Sequence, residues 1–290
     1  MIALIALSMH SEPNGRRDIS RLDTNIQTVL SQFKGDFGIA FKSLSDSTEY
    51  YFHERVVFHA ASTMKTPVML EVFNQAEQKK LSLDDSLLVE NKFRSIVDGS
   101  DFSLEITDDS GDRLYGKIGR KESIRTLVFE MITVSSNFAT NLLIEKVGAE
   151  NVMHTLERYH ISGISVLRGV EDTKAFEAGK NNTATPLGLL QLFDLIASDN
   201  SISVLAKQEM ISILLQQKFN SMIPALLPQT VKVAHKTGSI TNVQHDSGIV
   251  FLPDGRKYVL VVLSKNLKSN AEGQKAIAEI SKLIYDFMVN

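Results

Sequence analysis

Hydrophobic residues near the start of the chain recur with a helical period. From Ile19 to Phe33 they are mostly three or four positions apart, and Gly35 follows as a stop signal. Two short runs with strand character come next, Asp36 to Leu44 and Tyr50 to Phe52, separated by a Ser/Asp turn. The pattern predicts an N-terminal helix followed by a strand hairpin.

The middle of the chain is dominated by helical spacing of its apolar positions. The helices predicted there are Lys65 to Gln75, Glu122 to Val134, Asn137 to Val147, Ala149 to Tyr159, and Pro186 to Ile196. Two segments lack periodicity, the acidic, glycine-containing stretch 91–119 and the stretch 167–182. Long irregular segments in compact domains are usually functional or mobile.

Strand patterns return near the C-terminus. They cover Val231 to His235, Ser247 to Phe251 and Tyr258 to Leu263, and a closing helix covers Ala271 to Met288. Strands at both ends predict an α/β (α+β) fold with one antiparallel sheet built from both termini, flanked by helices, and an inserted all-helical lobe. We place the α/β lobe at about 16–61 and 200–290 and the helical lobe at about 62–199, with a cleft between them.

The composition narrows the function. The 290 residues are 43% hydrophobic, enough for a large core, and the formal charge of −3 provides no broad basic field for nucleic acid or anionic lipid. The absence of cysteine excludes thiol catalysis, cysteine-based metal sites and disulfides. A covalent nucleophile must therefore be Ser, Thr, Lys or a carboxylate.

The N-terminus leaves two interpretations open. Met1 to Ser8 is apolar and resembles the tail of a secretory signal, so residues 1–15 are interpreted as the remnant of an export signal; no basic residue precedes the run, so an ordinary N-terminal segment is equally compatible. No later stretch stays apolar for about 18 residues, so no membrane span is expected.

Three short motifs carry candidate chemistry. Ser62 and Lys65 lie three positions apart at the start of a predicted helix, where the lysine can accept the serine proton if burial disfavours its charge. Ser135 and Asn137 lie between two predicted helices, where they can relay a proton and bind a substrate carbonyl, or simply cap a helix. The pattern S-x-x-K also occurs at Ser31, which we interpret as a surface residue.

The third motif is Lys236-Thr237-Gly238, followed by Ser239. A cation and a hydroxyl on a strand edge can bind a carboxylate. Gly238 allows close approach of the backbone, so that the Ser239 N–H can join that of Ser62 in an oxyanion hole. A literal Ser-Asp-Asn triplet begins at Ser198, but it follows a helix and is interpreted as a polar exit turn.

In this order the three motifs match the set S-x-x-K, S-D-N and K-T-G, and nearly the whole chain from about Ile19 resembles class A β-lactamases, members of the penicillin-recognising serine hydrolases. The resemblance implies a serine hydrolase that opens β-lactam rings through an acyl-enzyme on Ser62. Lys65 is then its proton partner, Ser135 and Asn137 a relay beside the cleft, and Lys236 with Thr237 a carboxylate clamp. It also implies a periplasmic or secreted monomer that needs no cofactor and acts on a β-lactam or a D-Ala-D-Ala-like peptide.

Two departures from the family pattern leave alternatives open. Ser136 stands where the pattern has Asp, whose carboxylate ordinarily braces the loop. The glutamate expected to activate the deacylating water is displaced: Glu171 lies one place further from Arg168 than the family spacing, with Asp172 and Glu177 as rivals. Glu171 is either this base or a solvated loop acid paired with Arg168. Without a working base the acyl-enzyme would persist, as in a D,D-peptidase or penicillin-binding protein.

Other classes of protein have less support. The seven histidines show neither H-x-H nor H-E-x-x-H spacing, and no G-x-S-x-G motif occurs. A decayed, non-catalytic binding module remains an alternative, against which the intact motif residues speak. His245 could hold a substrate carboxylate in place of an arginine, although a role in the core or in a turn is the simpler interpretation.

Overall fold

The computed structural model of the chain describes residues 18–198 and 200–290, so the interpretation of Met1 to Ser8 lies outside the described residues. In the described part, the α-helices are α1 (Ile19–Leu30), α2 (Lys65–Glu77), α3 (Ile124–Thr133), α4 (Asn137–Val147), α5 (Ala149–Arg158), α6 (Thr173–Glu177), α7 (Pro186–Ser198), α8 (Val204–Leu214) and α9 (Asn270–Val289). Short 3₁₀ turns add Ala61–Met64, Ile106–Asp108 and Tyr115–Lys117.

The strands fall into one large sheet and several small ones. They are β1 (Asp36–Ser43), β2 (Glu49–Phe52), β3 (Phe58–His59), β4 (Ser86–Leu88), β5 (Phe93–Arg94), β6 (Asp101–Phe102), β7 (Lys121–Ser123), β8 (Ile164–Ser165), β9 (Thr183–Ala184), β10 (Lys232–Ile240), β11 (Val243–Phe251) and β12 (Lys257–Lys265). The main sheet has the order β10-β11-β12-β1-β2, and all its pairings are antiparallel. This confirms the predicted sheet built from both ends of the chain.

Helices cover both faces of the main sheet. Along β1, Ile39 and Phe41 join the core beneath α1 and α9, whereas Ala40 between them faces the core shared with α7 and the other helices. This alternation follows from the two-residue period of a strand. Strand β12 is buried on both faces, which explains why its sequence is a continuous apolar run rather than an alternating one.

Strands β10 and β11 extend further than the hydrophobic pattern predicts. The pattern ends at His235, but β10 continues to Ile240 and β11 already begins at Val243. Polar residues conceal the extension because they are buried in pairs: His235 Nδ1 lies 2.9 Å from Asp246 Oδ1, and both side chains are almost inaccessible to solvent. The lengthened β10 carries the third motif along the edge of the sheet.

Two helices were not predicted. Helix α8 was missed because Val204 and Leu205 are exposed, which blurs its amphipathic pattern. Helix α6 is a single short turn inside the stretch 167–182, begun by the side chain of Asp172, which accepts a hydrogen bond from Ala175 N. The segment 91–119 contains only the β5–β6 pair and two 3₁₀ turns, so its irregular character is confirmed.

Tyr258 provides a test of the packing between the sheet and α9. Its hydroxyl is fully buried and has no hydrogen-bond partner among the described residues. Because an unpaired buried hydroxyl costs free energy, we expect Tyr258→Phe to raise the free energy of unfolding by about 1 kcal/mol in urea titrations.

The matched change is Phe41→Ala. Phe41 packs edge-on against Tyr258, with ring centroids 5.5 Å apart, and its truncation should lower the same quantity by about 3–5 kcal/mol. A loss of stability in Tyr258→Phe would show that the hydroxyl contributes an interaction absent from this structure.

Candidate active site

Ser62 lies in the 3₁₀ turn that leads directly into α2. The preceding residue, Ala61, has a φ of 45°, a conformation that residues with a side chain seldom adopt. Two hydrogen bonds hold this turn: Ala61 N donates to His59 Nδ1 (3.0 Å), and Thr63 Oγ1 donates to Ala60 O (2.6 Å). The half-buried serine therefore stands in a fixed turn at the N-terminal end of a helix, which favours developing negative charge.

Lys65, the first residue of α2, is completely buried. Its ammonium donates to Ser135 O (2.6 Å), Ser135 Oγ (3.2 Å) and Asn137 Oδ1 (2.8 Å). Burial lowers the pKa of Lys65 to about 7, although two nearby carboxylates act in the opposite direction. A lysine with this pKa can accept a proton near neutral pH. None of its hydrogen bonds within the described chain goes to Ser62, three residues earlier.

Lys236 on β10 is also fully buried and approaches Ser135 from the sheet. Its Nζ donates to Ser135 Oγ (3.0 Å) and to Thr237 O (2.8 Å). Burial and the neighbouring charge of Lys65 hold the pKa of Lys236 well below its usual value, against the opposing effect of Asp246. The hydroxyl of Ser135 thus accepts hydrogen bonds from both lysines. The backbone of Ser135 has a φ of 58°.

The edge strand passes close to the nucleophile turn at Gly238. A Cβ on Gly238 would lie 3.2 Å from both Ala61 Cβ and Thr63 Cγ2, so a larger residue would press β10 against the two neighbours of Ser62 and glycine favours the close approach. Ser239 follows and is exposed on the same strand. Its pairing with Ser62 in an oxyanion hole stays a prediction.

Glu171 lies in the loop between β8 and α6, with a φ of 60°. Asn137 Nδ2 donates to Glu171 Oε1 (3.3 Å), so one Asn side chain contacts both Lys65 and Glu171. Desolvation and the charge of Asp108 raise the pKa of Glu171, while Lys65 lowers it. Arg168 instead donates to acceptors of its own loop, two backbone carbonyls and an asparagine. In this part of the structure Glu171 faces the other motif residues and is not hydrogen-bonded to Arg168.

The two rival carboxylates are not part of this cluster. Asp172 accepts hydrogen bonds from Ser95 Oγ and Ile96 N, both at 2.9 Å, so its carboxylate contacts the acidic segment. Glu177 lies at the exposed end of α6. Of the three loop acids considered, Glu171 is the one that the structure brings near Lys65 of α2, whose charge it affects.

Sequence reasoning missed two residues that hold the site. Asp109 accepts hydrogen bonds from the backbone N–H groups of Asn137 and Phe138, both at 2.8 Å. Asn141 holds the loop at the residue before Glu171: its Oδ1 accepts a hydrogen bond from Val170 N (2.7 Å), and its Nδ2 donates one to Val170 O (3.0 Å). The only signal for Asp109 was the missing carboxylate at position 136; spacing could not select one Asp from an acidic segment.

The remaining candidate residues lie apart from the cluster. His245 is buried, with Nε2 2.8 Å from His59 O, and burial lowers its pKa to about 4, so it has no free nitrogen facing a substrate. Ser31 caps the exposed end of α1, and Ser198 is the last residue of α7. Asp199 of the literal triplet lies outside the described residues.

Two features are absent from residues 18–198 and 200–290. These residues contain no group of three or more His, Cys, Asp or Glu side chains arranged to hold a metal ion. Over the same residues, no helix combines the length and the apolar character that crossing a membrane requires.

The fold and the site define the class. A serine at the start of a buried helix, a buried lysine with a lowered pKa one turn later, and a second lysine on the sheet edge are the parts of a serine hydrolase built between a sheet and a helical lobe. The chain belongs to the beta-lactamase enzyme family, whose sequence model matches residues 21–288.

Individual relatives are distant but cover almost the whole chain. A beta-lactamase from Bacteroides uniformis is 25% identical over 94% of this chain and 93% of its own. The crystal structure of a beta-lactamase from Sphaerobacter thermophilus has a TM-score of 0.81 at 22% identity, covering 94% of this chain and 98% of its own. The structure of PBP-A also has a TM-score of 0.81, at 24% identity, covering 93% and 97%. These structures are similar to this chain in fold.

The contacts of Asp172 predict how the Glu171 loop is held. Asp172→Ala removes the acceptor of hydrogen bonds from Ser95, Ile96 and Ala175, so it should lower the free energy of unfolding by about 1–3 kcal/mol. It should also speed amide hydrogen exchange across residues 168–179, measured by mass spectrometry.

Asp98→Ala is the matched control. It breaks the Lys174–Asp98 ion pair, which joins the same two segments at 2.6 Å but is exposed, so exchange should stay near that of the parent chain. Equal exchange in both variants would contradict a specific role for Asp172.

Proposed function

We propose that this protein opens β-lactam rings through an acyl-enzyme on Ser62. The observation that carries the proposal is the completely buried Lys65, whose pKa of about 7 suits proton transfer and whose hydrogen bonds tie it to Ser135 and Asn137. Lys65 takes the proton of the Ser62 hydroxyl, and the oxygen attacks the lactam carbonyl. The backbone N–H groups of Ser62 and Ser239 bind the resulting oxyanion.

The second lysine completes ring opening. Ser135 donates its proton to the leaving lactam nitrogen and is oriented for this by hydrogen bonds from both lysines. Lys236 and Thr237 bind the substrate carboxylate, and Asn137 donates its side-chain amide to a substrate carbonyl. Gly238 keeps the strand close to Ser62. All these groups lie on elements fixed by the sheet and the helical lobe, which favours pre-organised binding.

Glu171 supplies the deacylation step in this proposal. Its carboxylate accepts a hydrogen bond from Asn137 and is electrostatically coupled to Lys65, so it faces the place where the acyl group would lie. It removes a proton from water as the water oxygen attacks the acyl carbon; the bond from that carbon to the Ser62 oxygen then breaks, and the serine oxygen takes up a proton to restore the hydroxyl. Desolvation and the charge of Asp108 raise the pKa of Glu171, which makes it a stronger base than a glutamate with its ordinary pKa.

A second candidate function is that of a D,D-peptidase or penicillin-binding protein, on which the acyl group derived from a β-lactam persists. Its support is the left-handed backbone conformation of Glu171, which is displaced in the sequence relative to the family pattern. The Asn141 side chain bonds the backbone of the preceding residue, Val170. PBP-A is similar in fold, and a mutant of PBP-A is described as an acyl-enzyme complex with penicillin G. The rate of deacylation distinguishes the two functions.

The cellular role that fits this chemistry is resistance to β-lactam antibiotics in the periplasm or outside the cell. The support is the resemblance to the family and the apolar run Met1 to Ser8. A fractionation experiment on the native host, with a cytoplasmic marker as control, would test export independently of catalysis.

The first test uses a chromogenic cephalosporin. The purified protein should hydrolyse it over many turnovers, and Ser62→Ala should abolish hydrolysis because no other group can form the ester. Thr63→Ser is a matched control that leaves the nucleophile intact. Stoichiometric acylation without turnover would favour the penicillin-binding alternative, and the absence of acylation would remove the proposed function.

The second test concerns Glu171. Glu171→Gln removes the base but keeps the size and shape of the side chain. A penicillin adduct on Ser62 should therefore accumulate in intact-mass spectra while acylation continues. Glu177→Gln, at the end of α6 and away from the motif residues, should behave like the parent protein. If Glu171→Gln retained the parent steady-state rate, Glu171 could not be the deacylating base.

A further inference from the structure

The acidic segment contacts the site at Asp108, whose backbone carbonyl accepts a hydrogen bond from Asn137 Nδ2 (3.1 Å), and through the carboxylate of Asp109. Asp109 Oδ1 accepts from Asn137 N, and Oδ2 accepts from Phe138 N, both at 2.8 Å. Ser136 Oγ donates to the same Oδ2 at 3.2 Å. Asp109 is separated from these partners by more than 25 residues of chain, so the contact is tertiary and not part of a local turn.

The loop that Asp109 holds carries catalytic groups. Asn137 Oδ1 accepts a hydrogen bond from Lys65, and its Nδ2 donates to Glu171. Ser135, immediately before this turn, has a φ of 58° and binds both lysines. A left-handed residue followed by a helix start needs external contacts to stay in place. The backbone N–H groups bound by Asp109 belong to this helix start.

Ser136 alone does not satisfy the start of α4. Its fully buried side chain caps the helix by accepting a hydrogen bond from Ala139 N (3.2 Å). The N–H groups of Asn137 and Phe138 would then be left without acceptors, and Asp109 provides one for each. Since Ser136 Oγ lies 3.2 Å from Asp109 Oδ2, a carboxylate on residue 136 would reach the same space.

The segment around Asp109 is fitted closely to this loop. At Gly111, two residues after Asp109, an added Cβ would lie 2.9 Å from Val134 Cγ2 and 3.0 Å from Ser136 Cβ, so a side chain there would push the segment away. Gly111 N also donates to Asp109 Oδ1 (3.0 Å), which fixes the carboxylate. The contact is therefore a packed interface with a specific acceptor.

We propose that Asp109 is a positioning residue for the acylation step: from a distant surface segment it supplies the carboxylate that holds Ser135 and Asn137 against Lys65. The assignment rests on the proposed function for the meaning of the step, but its geometry is independent of any substrate. It gives the acidic segment a role inside the active site.

The charge of Asp109 gives the proposal a second readout. The charged groups that act on Lys65 are Asp109 and Glu171, which raise its pKa, and Lys236, which lies on the other side of Ser135. Removing the negative charge at position 109 lowers the pKa of Lys65 further. The pH at which acylation reaches half its maximum must then move downward, because a lysine with a lower pKa loses its proton at a lower pH.

The experiment is a double-mutant cycle on positions 109 and 136. Acylation by a penicillin is followed by stopped-flow and intact mass for Asp109→Asn, Ser136→Asp and the double variant. Asp109→Asn should acylate roughly 10- to 100-fold more slowly, since hydrogen bonds to a charged acceptor contribute on that scale. The double variant should recover most of the rate, whereas Ser136→Asp alone should lose activity because two carboxylates compete for one place.

The pH profile and a matched control separate positioning from general destabilisation. The half-maximal pH should fall in Asp109→Asn and return in the double variant, a movement that loss of stability alone does not produce. Asp112→Asn removes an exposed carboxylate from the same segment and should leave both rate and profile unchanged. Equal rates in Asp109→Asn and the parent, or no recovery in the double variant, would overturn the proposal.

Amide hydrogen exchange makes the test independent of the substrate. The N–H groups of Asn137 and Phe138 should exchange faster in Asp109→Asn and slow again in the double variant, as measured by NMR on the free protein. Unchanged exchange in Asp109→Asn contradicts the proposal even if β-lactam hydrolysis is observed. Conversely, if the parent is not acylated but exchange follows the cycle, the proposed function and the role in acylation fail, whereas the contact of Asp109 with the start of α4 is upheld.

Discussion

The site depends on two fully buried lysines whose amines share one serine hydroxyl. Lys65 comes from the first turn of a buried helix and Lys236 from a strand edge, and both bond Ser135 Oγ. Burial disfavours the charge of both amines and lowers the pKa of each, and the neighbouring charge of Lys65 lowers the pKa of Lys236 further. The fold thereby maintains an amine that can act as a base near neutral pH. The surrounding polar contacts serve to keep this unfavourable arrangement intact.

The rest of the architecture brings these groups together from distant parts of the chain. The antiparallel sheet carries Lys236 on its edge strand, and α2 presents Ser62 and Lys65 from its first turns. Buried pairs such as His235 and Asp246 let β10 and β11 run on through polar sequence to reach the cleft. The polar interior of this sheet end is therefore tied to function and is not a defect of the core.

The sheet, most helices and the grouping of the three motifs could be predicted from the sequence. Periodicity is visible within a single segment, and the order of the motifs can be read directly along the chain. The extension of β10 and the helix α8 were missed because burial of polar residues and exposure of apolar ones override periodicity. The register of Glu171 could not be read from spacing, since a φ of 60° redirects its side chain. The contacts of Asp109 are tertiary, and no local pattern encodes them.

Burial of Lys65 also determines when in the life of the chain the serine becomes reactive. In an unfolded or partly folded chain this lysine is hydrated and holds its proton at neutral pH, so Ser62 is an ordinary alcohol. Only when the edge strand and the α3–α4 loop enclose the amine does desolvation lower its pKa, so that its unprotonated form can accept the serine proton near neutral pH. The reactivity of Ser62 is thus a property of the folded state, and an unfolded chain lacks it.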